Sequence, residues 1–149
     1  MHRLRAFFFA FVLFAAPLCA ARDLAIVVNK GNPASTVTVA ELEKLLKAAT
    51  QTWPDGKKVK VILTDPASPE IKMLLQRAYK LSPAEIKSLA DAHKADIRIV
   101  SSDDIVLTMV ESTPGAIGIV NVYSINSRVK VLKVDDKLPM ESRYLLHGN

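Results

Sequence analysis

Two hydroxyls and an ammonium, on Thr64, Ser68 and Lys72, are the groups of this 149-residue chain best suited to chemistry. The chemistry they suit is capture of an oxyanion. Thr64 closes an apolar, strand-like run, and Pro69 reads as the first residue of a helix, so Ser68 stands where that helix begins. Free amides and a positive dipole end make such a junction attractive to anions. Ser68 would donate its hydroxyl, and Lys72 would add charge without the two-pronged grip of an arginine. Glu70 lies in the same first turn and opposes an anion. The plainer reading is that Ser68 caps the helix and Lys72 is solvated. Ser101 and Ser102 form a second candidate at a later strand-to-helix junction, beside Asp103 and Asp104. Those carboxylates favour simple capping there. Asn29 and Lys30, where the first strand ends, are a third candidate, with a turn role as the plainer reading.

Other chemistries find no support. No nucleophile, base and acid assemble from the motifs, so an enzyme is not expected. His93 and His147 are far apart with no zinc-like pattern of carboxylates, and Asp135-Asp136 lacks the spaced oxygens of a calcium loop. Neither a metal nor a cofactor is expected. The chain has 20 basic and 15 acidic residues, a net of +5. Its basic residues are scattered and it has one tryptophan, so nucleic acid is not an expected partner. The mild excess slightly favours an anionic ligand.

The amino-terminal residues read as a targeting segment. Arg3 and Arg5 are followed by an uncharged apolar run from Ala6 to Ala16, which Pro17 breaks. That run is too short for a membrane span, which takes about 20 residues, and small residues follow it. Residues 1–21 are therefore expected to be a secretory signal peptide, cleaved after Ala21 with Cys19 at the −3 position. A lipid-modified Cys19 is disfavoured by Leu18 before it and Ala16 in place of the usual leucine. Residues 22–149 are expected to form a single domain, without a cysteine, in the periplasm. Such a domain must rely on its packed core.

The elements that must position the candidate residues follow from hydrophobic patterning. Leu24 to Val28 is a continuous apolar run that suits a strand buried on both faces. Lys30 to Val37 reads as a loop. Thr38 and Glu41 form a capping box for a helix whose apolar face is Leu42, Leu45, Leu46 and Ala49. Strands are expected at residues 59–63, 97–100, 116–121 and 129–132. Helices are expected from Pro69 (inward face Ile71, Leu74, Leu75, Ala78, Tyr79), from Ser82 (Ile86, Leu89, Ala90), and over 103–112 (Ile105, Val106, Met109, Val110). Tyr144 to Leu146 and Leu138-Pro139 are expected to pack back on the domain. The order βαβααβαββ predicts an α/β fold, a sheet covered by helices on both faces.

Two runs stand apart from this patterning, Trp53-Pro54-Asp55-Gly56 and Pro114-Gly115-Ala116-Ile117-Gly118-Ile119. Taken with Val28-Asn29, Asn32-Pro33, Glu41-Leu42 and Lys130-Val131-Leu132, they occur here in the order seen in phosphate-type periplasmic solute-binding proteins, which the chain resembles over nearly all of residues 22–149. The resemblance implies an α/β fold, one lobe of a type II periplasmic binding protein with a mixed sheet and helices on both faces. Such proteins close two α/β lobes around an anion and deliver it to an ABC transporter. It also implies phosphate or a related oxyanion as ligand, with the transporter's membrane subunits, or a second lobe supplied in trans, as partners. Two features depart from the family. No Gly-Ser-Gly type loop is found, and the family's Ser-x-x-Arg run corresponds to Ser68-Pro69-Glu70-Ile71-Lys72, which lacks the arginine. The competing reading is a single-lobe periplasmic accessory or sensor-partner protein that keeps the fold without tight ligand capture. Trp53 could meet a ligand or pin its loop, and Gly115 and Gly118 could admit a ligand or serve turn and packing; the structural role is the plainer one for each.

Overall fold

The computed structural model describes residues 22–49 and 52–148. The expected signal peptide, residues 1–21, lies outside them. In chain order the elements are β1 (Leu24–Val28), β2 (Thr36–Val37), α1 (Val39–Leu46), β3 (Lys60–Leu63), α2 (Lys72–Tyr79), α3 (Pro83–Ala92), β4 (Ile97–Ile99), α4 (Asp103–Ser112), β5 (Ala116–Asn121) and β6 (Lys130–Val134), with a 3-10 turn at Val122–Ser124. The strands form one six-stranded sheet in the order β2-β6-β1-β5-β3-β4. β3 runs parallel to β4 and β5, while β1 is antiparallel to β5 and β6. The sheet is therefore mixed, as the resemblance implies. β2 was not expected. It consists of two residues that pair parallel with Lys133 and Val134, and only Val37 of the two is buried. So short a strand leaves no periodicity to read.

Alternate residues of β1 enter two separate cores. Leu24, Ile26 and Val28 join Leu42, Leu46, Leu75 and Ile86, so α1, α2 and α3 cover one face of the sheet. Ala25 and Val27 join Val106, Leu107 and Val110, so α4 covers the other. Gly118 allows the second contact. A Cβ there would lie 2.6 Å from Val106 Cγ1 and 2.9 Å from Val110 Cγ2. This close approach turns Val106 and Val110 onto the sheet with Leu107 beside them, and leaves Ile105 40% exposed. The apolar face of α4 is thus rotated from the expected one, which had Ile105 inward.

Local signals set most helix starts. Thr38 accepts from the Glu41 amide at 3.1 Å, and the Glu41 carboxylate accepts from the Thr38 amide at 2.9 Å. α1 nevertheless ends at Leu46, before Ala49, because Ala48 turns to a positive φ of 56°. Ser82 caps α3, but the Glu85 carboxylate takes the Ser82 hydroxyl, at 3.0 Å, rather than its amide.

α2 departs from expectation. It starts at Lys72 with Ile71 as its cap residue, so Ser68 does not cap it and Pro69 is not its first residue. A turn at Asp65 accounts for the delay. The Asp65 side chain accepts from the Ala67 amide at 2.9 Å and its carbonyl from the Ser68 amide at 3.1 Å. The Ser68 carbonyl then accepts from Ile71 and Lys72, at 3.1 and 2.9 Å, before regular helix begins.

Both ends of the described chain are fastened at Asp23. Its buried carboxylate accepts from the amides of Met140 and Gly148, at 2.6 and 2.9 Å, and lies 2.8 Å from His147 Nδ1. Tyr144 donates to the Leu24 carbonyl at 2.7 Å, and Tyr144 and Leu146 are buried. Leu138 remains 39% exposed, so that part of the tail does not pack inward as expected.

Candidate functional site

The parallel strands β3, β4 and β5 end at one edge of the sheet, where β1 begins because it runs the other way. Beyond β3 the chain departs towards α2 on one face. Beyond β4 it departs towards α4 on the other. Divergence of this kind opens a crevice at the carboxyl ends of strands, the usual ligand position in α/β sheets. A cleft of about 330 Å3 lies there.

Four of the five residues singled out at the two strand-to-helix junctions meet in its wall. Thr64 and Ser68 come from the segment after β3, and Ser101 and Ser102 from the segment after β4. Two candidates from separate stretches of sequence thus belong to one cavity. Ser102 also caps α4, accepting from the Ile105 amide at 3.4 Å. The fifth, Lys72, does not line the cleft. Because α2 begins late, Lys72 is its first residue and is exposed rather than turned back over Ser68. Asn29 is also elsewhere in function. Its amide donates to the carbonyls of Val110 and Glu111, at 3.0 and 2.9 Å, and closes the end of α4.

Three carboxylates share the wall, from Asp65, Glu70 and Asp103. Asp65 is engaged by the Ala67 amide and by Lys87 Nζ of α3 at 3.3 Å. Chiefly the amide, and then Lys87, holds the Asp65 carboxyl below the usual carboxylate range. Asp103 accepts from the Asn121 amide at 3.0 Å and from the Ser124 hydroxyl at 2.7 Å, which fastens the turn after β5 to the start of α4. Glu70 carries no hydrogen bond or ion pair among the described residues. Arg22, just before β1, is the one cation in the wall among the described residues. Its place next to the expected leader hid it from sequence reading; the antiparallel pairing of β1 with β5 is what brings it to this edge. Asn121 and Ser124 were also missed, and nothing in their sequence spacing marks them.

The motifs outside the cleft serve the scaffold. Trp53 is buried and donates its indole N–H to the Gly115 carbonyl at 2.8 Å. Gly115 has a φ of +85°, and a Cβ there would collide with the Lys58 carbonyl oxygen. No group of three or more His, Cys, Asp or Glu side chains among the described residues is placed to hold a metal ion. No helix among them is long and apolar enough to cross a membrane.

This arrangement is one lobe of a type II periplasmic binding protein fold. The family model described as a PBP superfamily domain matches residues 14–143, and the chain belongs to that family. Among solved structures it is similar to an ABC-type phosphate transport receptor from Vibrio cholerae, at 22% identity and a TM-score of 0.65, covering 81% of this chain and 49% of that one. It is similar also to PstS from Borrelia burgdorferi, at 22% identity and a TM-score of 0.68, covering 87% and 56%. A phosphate-binding protein from Stenotrophomonas maltophilia aligns at 16% identity and a TM-score of 0.62, covering 80% and 41%. The chain thus spans about half the length of these structures. No curated protein matches it.

Proposed function

We propose that this chain is an exported, periplasmic solute-binding-like protein, folded as a single domain over residues 22–149, whose cleft takes phosphate or a related oxyanion for an ABC transporter. The observation that carries this reading is the meeting of Thr64, Ser68, Ser101 and Ser102 in one cleft at the carboxyl edge of the parallel strands. Hydroxyl donors and free amides at such an edge suit an oxyanion, and no catalytic step is part of the reading. The similarity to phosphate-transport and phosphate-binding proteins supports the ligand class. The chain spans about half of those structures, and the proposal includes closure of the cleft by a second lobe, with another copy or another chain as its candidate source. One lobe alone leaves the anion half in water, so affinity is expected to be no better than about micromolar, roughly −8 kcal/mol.

A second reading is a periplasmic accessory or sensor partner that keeps the fold without tight capture. The three carboxylates in the cleft wall favour it, since they oppose an anion. Calorimetry with phosphate and with sulfate, paired with sizing in solution, separates the two. Binding accompanied by association of two copies supports solute capture. No heat at millimolar anion replaces the transport reading with the accessory one.

A further inference from the structure

We infer that Arg22, carried on the ring of Tyr123, is the group that grips the anion in this cleft, a role that neither Lys72 nor a family motif supplies. The inference rests on the oxyanion reading of the cleft and names the residue on which that reading depends. Three observations bear on it. Arg22 lines the cleft, whereas Lys72 does not. Although Asp65, Glu70 and Asp103 share the wall, the Arg22 guanidinium makes no ion pair with a described carboxylate. Its Cζ lies 4.8 Å from the centre of the Tyr123 ring instead. A guanidinium held by cation–π contact keeps its edge of N–H donors open, and that edge matches two oxygens of one oxyanion. Ion pairing with a wall carboxylate would have consumed the same donors.

The aromatic shelf is itself anchored. Tyr123 sits in the turn after β5, where its amide donates to Asn121 Oδ1 at 3.0 Å. Asp103 holds that turn through the Asn121 amide and the Ser124 hydroxyl. The Asp103 carboxylate therefore already has two donors facing it and acts on the shelf rather than on the ligand. Tyr123 is 68% exposed, so its ring is open to the Arg22 guanidinium that lies over it. Its purpose is the cation above it, which makes Tyr123 a positioning residue.

The test is phosphate titration of the purified protein and of four variants, by calorimetry at low and at high salt. Arg22→Ala should weaken phosphate binding about tenfold or more, the scale of a lost charge-assisted pair, and should flatten the salt dependence. Arg22→Lys should fall between, because charge stays and the two-pronged edge goes. Tyr123→Ala should weaken binding several-fold while Tyr123→Phe, which keeps the ring, should restore it. Both side chains are exposed, so circular dichroism should show every variant folded. If the wild type binds phosphate and Arg22→Ala binds it equally well, the inference is overturned while the oxyanion reading stands. Equal losses in Tyr123→Phe and Tyr123→Ala overturn the role of the ring. Absence of binding by the wild type at millimolar phosphate overturns both the inference and the reading beneath it.

Discussion

Trp53 and Gly115, 62 positions apart in the chain, are joined by a 2.8 Å hydrogen bond from the indole N–H to the carbonyl. The bond closes the loop before β3 onto the turn that opens β5, and the same carbonyl accepts from the Lys60 amide at 3.3 Å. Trp53→Phe should therefore cost about 1–3 kcal/mol, combining a lost buried hydrogen bond with a small void. Gly115→Ala should cost more, since a side chain must enter both a φ of +85° and the Lys58 carbonyl. Urea midpoints of the two variants check the order.

Gly118→Val is expected to destabilise by about 1–3 kcal/mol, the usual scale of core overpacking. The added atoms meet Val106 and Val110 of α4. Pairing it with Val106→Ala should recover part of the loss. Losses that simply add in the double variant would show that α4 and β5 are not in the contact described.

Asp65 provides a test by pH. Its folded-state pKa is lowered, first by the Ala67 amide and then by Lys87. A lowered carboxyl contributes stability above its unfolded pKa and loses that contribution as pH falls through the folded value. Asp65→Asn should therefore be slightly less stable than the wild type at neutral pH and equal to it at a pH low enough to protonate the folded carboxyl. Denaturant unfolding at both pH values measures the difference.

Two single changes examine the cleft from opposite directions. Ser68→Ala should weaken a measured phosphate affinity by about 1 kcal/mol, the scale of a hydrogen bond to a charged group. Glu70→Gln should strengthen it, because an unengaged carboxylate leaves the wall. If neither affects binding, the anion sits elsewhere.

Export has its own measurement. Protein recovered from the periplasm should begin near Arg22, read by amino-terminal sequencing or intact mass. A retained Met1, or a lipid on Cys19, would defeat the signal-peptide reading.

Strong local patterns are legible in the sequence itself. The unbroken Leu24–Val28 run is buried on both faces, and the Thr38 and Ser82 caps start their helices. Where a competing turn or a tertiary contact outweighs a helix-start or periodicity signal, sequence misleads. Ser68-Pro69 is a good helix opening by composition, yet the Asp65 turn delays α2 to Lys72 and takes that lysine out of the cleft. The face of α4 follows Gly118, a residue of another element. At the site, the four hydroxyl residues could be read because strand-to-helix junctions are local features. Arg22 could not, since only the antiparallel placement of β1 beside β5 carries it to the carboxyl edge.

The Asp23 clasp bears on how such a domain is passed between larger architectures. Gly148 donates to the Asp23 side chain at 2.9 Å, and the Leu24 amide donates to the Leu146 carbonyl at 3.0 Å. The two ends of the described residues therefore lie side by side. Modules with adjoining ends can be spliced into a host loop or circularly permuted with little disturbance. A short linker from residue 148 back to residue 22, with new ends opened at an exposed turn, should preserve the sheet order and leave the cleft edge intact.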